Sequence, residues 1–143
     1  MEKEKISFLF PSFPSESDIK SGNLGTPNMA VSVEEFPAQL SFLAATGLVN
    51  LDLNKGYALT VNLYDGDTLL TNPEDTAALV AHKHTISQEN YYVSSFGIPL
   101  NARIIKPGVY TLRFSLYETE QGEKSDLLDE LESQLAISRK WYS

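Results

Sequence analysis

The chain has 143 residues, no cysteine, and a formal net charge of -8 from 11 Lys and Arg against 19 Asp and Glu. That length suits one domain spanning residues 1–143, able to remove about two-thirds of its unfolded surface from water without staples. The missing cysteine excludes a disulfide framework, a thiolate zinc site and a cysteine nucleophile, and the acidic balance, with Lys and Arg scattered singly, speaks against nucleic acid as a partner.

In chain order, Met1-Glu2-Lys3-Glu4-Lys5 is charged in both signs. The apolar run after it, Ile6 to Phe10, is cut by Pro11 and Pro14 and is too short for a signal peptide or a membrane span. No membrane partner is expected, and the cytoplasm is the expected location. Lys5 to Phe10 is rich in β-branched and aromatic residues, which predicts a first strand stopped by Pro11, whose ring removes a ladder donor. Ser, Pro, Gly and Asn then crowd residues 12–28, the expected flexible loop. Met29 to Val33 alternates and reads as a short strand. The mostly apolar run Leu40 to Leu51 is expected to be extended, with a bulge at Gly47.

Two stretches resemble each other. Tyr57 to Asp65 and Tyr110 to Glu118 both alternate apolar and polar residues, so Tyr57, Leu59, Val61 and Leu63 share one face, as do Tyr110, Leu112, Phe114 and Leu116. Such a period of two predicts a pair of central strands, each buried on one side. Asp65-Gly66-Asp67 supplies a hairpin turn into Leu69-Leu70, because glycine accepts the positive φ such a turn needs. Asn72-Pro73-Glu74-Asp75 is another turn or a helix start. Tyr91 to Phe96, followed by Ile98, Leu100, Ile104 and Ile105, reads as one or two strands leading through Lys106-Pro107-Gly108 into the second central one. Near the end, Leu127, Leu128, Leu131 and Leu135 have a spacing compatible with a short helix capped by Ser125 or Asp126, before a final strand at Ser133 to Ser138. Seven or eight short strands with turn signals between them predict an all-β protein, an antiparallel β-sandwich of the jelly-roll or immunoglobulin-like kind with at most one or two short helices.

Few residues are arranged for chemistry. His82 and His84, two apart on a strand, point to one side and can converge on an ion. With Glu89 they form His-x-His-x4-Glu, which resembles part of the metal motif of the cupin family. That likeness implies His82, His84 and Glu89 as metal ligands in a small-ligand domain. It stops short of the family's pattern, with Thr76 where a glycine is expected and no third histidine in the chain. Asp65 and Asp67, with Asp52, Glu74 and Asp75 near them in sequence, offer oxygens for calcium, although a solvated turn uses the same residues. No Gly-x-Ser-x-Gly elbow and no phosphate loop is present. No cofactor and no enzymatic activity are expected.

The remaining candidates are aromatic. Tyr64 and Tyr117 fall on the polar faces of the two central strands, and Tyr91, Tyr92 and Trp141 join them as side chains able to centre a protein contact or stack on sugar rings. The opening strand, Phe36-Pro37 and the late Pro107-Gly108-Val109-Tyr110 are similar to features of small bacterial or phage β-sandwich proteins. This resemblance implies a bacterial or virion-associated chain. The expected function is a non-enzymatic module that binds another protein or copies of itself; a cupin-like metal or ligand domain and a carbohydrate-binding module are the alternatives.

Overall fold

Strand-forming residue types become strands almost throughout the computed structural model, which describes residues 3–21, 23–71, 80–85, 91–121 and 123–139. Among them the order is β1 (Lys5–Ser12), α1 (Glu16–Lys20), β2 (Ala30–Val33), β3 (Ala38–Asp52), β4 (Gly56–Asp65), β5 (Thr68–Leu69), β6 (Val80–Thr85), β7 (Tyr91–Ile104), β8 (Gly108–Glu120) and β9 (Glu123–Arg139). The nine strands form two sheets, one ordered β1-β3-β7-β6 and the other β2-β9-β8-β4-β5. Nine strands lie among the described residues, where seven or eight were expected for the chain. The protein is all-β with one helix of a single turn among the described residues.

One pairing departs from the antiparallel expectation. β2 runs parallel to β9, with Ala30 to Val33 beside Ala136 to Arg139. Nearly the whole domain lies between these two strands, so no hairpin constrains their direction. Every other pairing is antiparallel. The two similar stretches, now β4 and β8, lie side by side, with Val61 opposite Phe114 and Leu63 opposite Leu112. Their shared face is the core face. Val61, Leu63, Leu112, Phe114 and Leu116 are fully buried and meet Leu40, Phe42, Phe96 and Ile98 of the four-stranded sheet in one cluster. Phe96 and Phe114 touch across the two layers with ring centroids 6.2 Å apart.

Pro11 does not end β1, which continues to Ser12 with Pro11 opposite Ala44. The strand lies at a sheet edge, where a missing donor is tolerated. An extra residue, Ser7, bulges β1 opposite Gly47, and the Phe8 ring lies on that glycine: an added Cβ would stand 2.3 Å from Phe8 Cε1. The bulge expected at Gly47 therefore lies across from it. β3 has its own irregularity just beyond, at Asn50, whose φ is 61°.

β3 is buried on both faces from Phe42 to Leu48, which explains why that stretch reads as an apolar run without alternation. Its outer side is covered by the chain itself. Phe8 and Phe10 stack there, 5.6 Å apart, and Leu24 reaches Gly97 beside Leu43. Leu24 belongs to the segment expected as a loop over residues 12–28. In it, Ser15 and Asp18 exchange hydrogen bonds across the first turn of α1: Asp18 N donates to Ser15 Oγ and Ser15 N to Asp18 Oδ2, a reciprocal cap. Ser12 Oγ donates to Leu24 O at 2.7 Å, and Asn28 N to Pro11 O at 2.9 Å.

The helix compatible with Leu127 to Leu135 is a strand instead. Two register shifts in the β8–β9 pairing insert extra residues into β9. Leu128, Leu131 and Leu135 turn inward while Leu127 is exposed. A strand with bulges can thus imitate helical spacing, and thirteen residues of β8 provide the pairing that decides between the two.

A polar network ties the sheets together at one end. The Tyr57 hydroxyl accepts a hydrogen bond from Asp52 N at 2.8 Å and donates to Glu4 Oε2 at 2.9 Å. Lys55 Nζ lies 3.3 Å from both Glu4 Oε2 and Glu118 Oε1. Burial disfavours the Glu4 charge, but the residue's own backbone amide, the Tyr57 hydroxyl and Lys55 outweigh it and hold the carboxyl below its usual pKa. On the adjoining strands, β1 has its free edge capped where Ile6 N donates to Asp129 Oδ2 of β9 at 2.8 Å.

Candidate functional site

Strand alternation leaves two outer faces. That of the four-stranded sheet is occupied by Phe8, Phe10 and Leu24, with two shallow grooves beside them. One groove, of about 260 Å3, is lined by Phe13, Pro14, Phe42 and Pro99; the other, of about 210 Å3, by Phe8, Gly47, Val49 and Val93. Both are smaller than the ~300–1,000 Å3 usual for a small-molecule site. The outer face of the five-stranded sheet spans β2, β9, β8, β4 and β5.

Because Leu63, Leu112, Phe114 and Leu116 point inward, their neighbours point out. Register then assembles the face row by row. Leu69, Tyr64, Thr111 and Gln134 make one row, Asn62, Arg113 and Glu132 the next, Thr60, Ser115 and Glu130 a third, and Ala58, Tyr117 and Leu127 a fourth. Val109 and Ala136 continue it toward Ala30 of β2. Three large apolar side chains stand exposed on this face: Leu69 at 43%, Val109 at 66% and Leu127 at 53%. Met29 and Ile105 add 77% and 66% at the rim.

The charges on the face are held locally. The Arg113 guanidinium lies over the Tyr64 ring, 4.8 Å from its centroid, and Lys124 Nζ lies 5.1 Å from that of Tyr117. Such cation–π contacts keep an aromatic flat against the sheet. Arg113 also faces Glu130 and Glu132 at 3.6 Å each, and its Nε is shielded without a hydrogen bond. Glu130 Oε2 accepts from Ser115 Oγ at 3.1 Å.

Of the aromatic candidates, Tyr64 and Tyr117 lie on this one face, at opposite ends of its central strands. Tyr91 and Tyr92 do not join them. They open β7 in the other sheet, opposite Asp52 and Leu51, and Tyr92 packs against the core, where burial raises its hydroxyl pKa. Trp141 and Glu89 lie outside the described residues. His82 and His84 are placed by backbone register alone, opposite Ser95 and Val93. Among the described residues, no three His, Asp or Glu side chains are grouped so as to hold an ion. Of the acidic turn, Asp65 is 3.6 Å from Lys106 Nζ. Sequence reasoning missed Arg113, Val109, Leu69 and Leu127. Arg113 occupies the polar phase of the second similar stretch and Val109 stands just before that stretch in the same phase, so alternation alone could have marked both as outward.

No protein-family model matches the chain, and no curated protein matches its sequence.

Proposed function

We propose that the chain is a non-enzymatic, immunoglobulin-like interaction module that binds protein through the outer face of its five-stranded sheet. Strand order supports the immunoglobulin-like form over the jelly roll. In sequence order the nine strands fill the positions A, A′, B, C, C′, D, E, F and G, giving an A-B-E-D sheet and an A′-G-F-C-C′ sheet. At the start of β8, in the F position, the Tyr110 hydroxyl donates back to the Lys106 carbonyl, the corner by which such domains anchor this strand. Leu112, two residues later and fully buried, occupies the place where antibody domains carry their second disulfide cysteine.

The observation carrying the functional assignment is the exposure of Leu69, Val109 and Leu127 on one sheet face that also presents Tyr64 and Tyr117. Leu69 and Val109 stand toward one end of the face and Leu127 toward the other, flanking the polar rows centred on Arg113, and exposed apolar side chains set around a polar centre still offer area to a partner. The likeness carried by Phe36-Pro37 and Pro107-Gly108-Val109-Tyr110 supports a bacterial or phage assembly as the setting. A photo-crosslinking amino acid at position 109, compared with one at Asn101 on the opposite outer face, tests the assignment in cells. A protein adduct is expected from 109 and not from 101; no adduct from 109 would refute it.

A further inference from the structure

We propose that the partner on this face is a second copy of the same chain, packed face to face about a two-fold axis. This rests on the interaction assignment above and names its occupant.

The first support is the distribution of charge. The chain carries -8, and two such bodies repel each other wherever their acidic surfaces meet. The middle of the face sets Arg113 against Glu130 and Glu132, and Lys124 stands at one end with the exposed Asp126 beside it. Positive and negative charges are interspersed there. Acidic residues collect instead at the rims, in Asp65 and Asp67 of the β4–β5 turn, in Glu120 and Glu123 of the β8–β9 turn, and in Glu34 and Glu35 before β3. A basic partner would be steered to those rims, whereas a second acidic copy is repelled less where Arg113 and Lys124 offset neighbouring carboxylates, as on this face.

Area is the second support. At ~3.3 Å per residue and ~4.8 Å between strands, the five strands project about 700 Å2, before side-chain relief is added. A stable two-protein contact needs about 800 Å2 per partner. Buried whole, the face comes close to that size, and side-chain relief makes up the difference.

Self-complementarity supplies the third. Arg113 lies midway along β8, the middle strand of the sheet, so an axis through the centre of the face passes near it. Its own carboxylate contacts are long at 3.6 Å, beyond hydrogen-bond distance, and Glu132 keeps 45% of its side chain exposed. Each Arg113 is thus placed to reach the other copy's Glu132, while Val109 and Leu69 pack at the flanks.

Light scattering and sedimentation from about 1 to about 100 µM test the proposal. The expected mass is twice 15.9 kDa, with association unchanged or strengthened by about 0.5 M salt, which screens the net repulsion. Val109→Arg and Arg113→Glu should each weaken the dimer by about tenfold or more, and Glu132→Arg should restore part of the loss when combined with Arg113→Glu. Asn101→Arg, on the opposite face, should leave it unchanged. Circular dichroism of each variant separates lost association from lost folding. A monomer at every concentration, or a dimer indifferent to Val109→Arg, overturns the proposal. If position 109 then crosslinks to a different protein, only the identity of the occupant falls; if it crosslinks to nothing, the interaction assignment falls with it.

Discussion

Replacing Tyr57 with Phe removes a single oxygen from the network that joins the two sheets and leaves the ring in place. Two partners lose their contact: Asp52 N, which donates to that oxygen at 2.8 Å, and Glu4 Oε2, which accepts from it at 2.9 Å. The Glu4 side chain is only 10% exposed, so water replaces the hydroxyl poorly. A hydrogen bond to a charged group contributes ~1.5–3 kcal/mol, and a stranded buried donor costs ~1–3 kcal/mol. About 2 kcal/mol is the expected loss near neutral pH, a drop of roughly 6–8 °C in Tm for a chain of this size. The pH profile gives an independent check. The lowered Glu4 pKa means that its contribution is complete above the ordinary value of 4.5 and is lost as pH falls through the lower folded value. Tyr57 is held above its ordinary 10.0, mainly by burial and also by Glu4, so as pH rises past 10.0 the native protein loses more stability than the Phe variant, in which Tyr92 and Tyr110, also raised by burial, still titrate. The gap between the two proteins should be widest in between and should narrow at both extremes. Urea unfolding followed by far-ultraviolet circular dichroism measures it. A gap below about 0.5 kcal/mol at neutral pH, or one that stays constant across the range, would refute the assigned role of the network.

Other substitutions probe the core and backbone. Phe114→Ala, at a fully buried ring touching Phe96 across the layers, should cost about 3–5 kcal/mol in urea unfolding. Gly25→Ala should cost about 1–3 kcal/mol, because φ is 86° and the new Cβ would stand 2.3 Å from Ser12 Oγ; Gly66→Ala, at φ 60° in open space, should cost only about 1–2 kcal/mol. Tyr110→Phe removes the hydroxyl bond to Lys106 O and should lower stability by about 1 kcal/mol in thermal unfolding, with association unchanged.

The period-two stretches made β4 and β8 legible, since each alternates core residues with outward ones, although Asn62 and Ser115 on the outer side are shielded as well. Asp65-Gly66-Asp67 was equally readable, because Gly66 takes φ 60° at the tip of the hairpin. β9 was not. Its inserted residues shift the alternation, and only the partner strand fixes which leucines turn inward. Pro11 misled for a related reason: its missing donor matters inside a sheet and not at the edge where β1 lies. On the site, alternation placed Tyr64 and Tyr117 outward, but no local pattern announces that β4 and β8 are neighbours. Without that pairing, Arg113 over Tyr64 and the row of exposed side chains are invisible. Tyr92 shows the converse, an aromatic whose burial depends on a long-range contact with the core.

The two bare backbone positions on the outer side of the four-stranded sheet act as sockets. Gly47 receives the Phe8 ring, and Gly97 receives Leu24 beside Leu43. Neither half of such a pair is free to drift alone. A methyl at 47 evicts the aromatic at 8, and a smaller residue at 24 uncovers the site at 97. Across diverged copies of this gene, positions 8 and 47 should change together, as should 24 and 97, and that coupled variation would leave a readable trace of how Phe8 of the edge strand and Leu24 after it lie across the backs of β3 and β7.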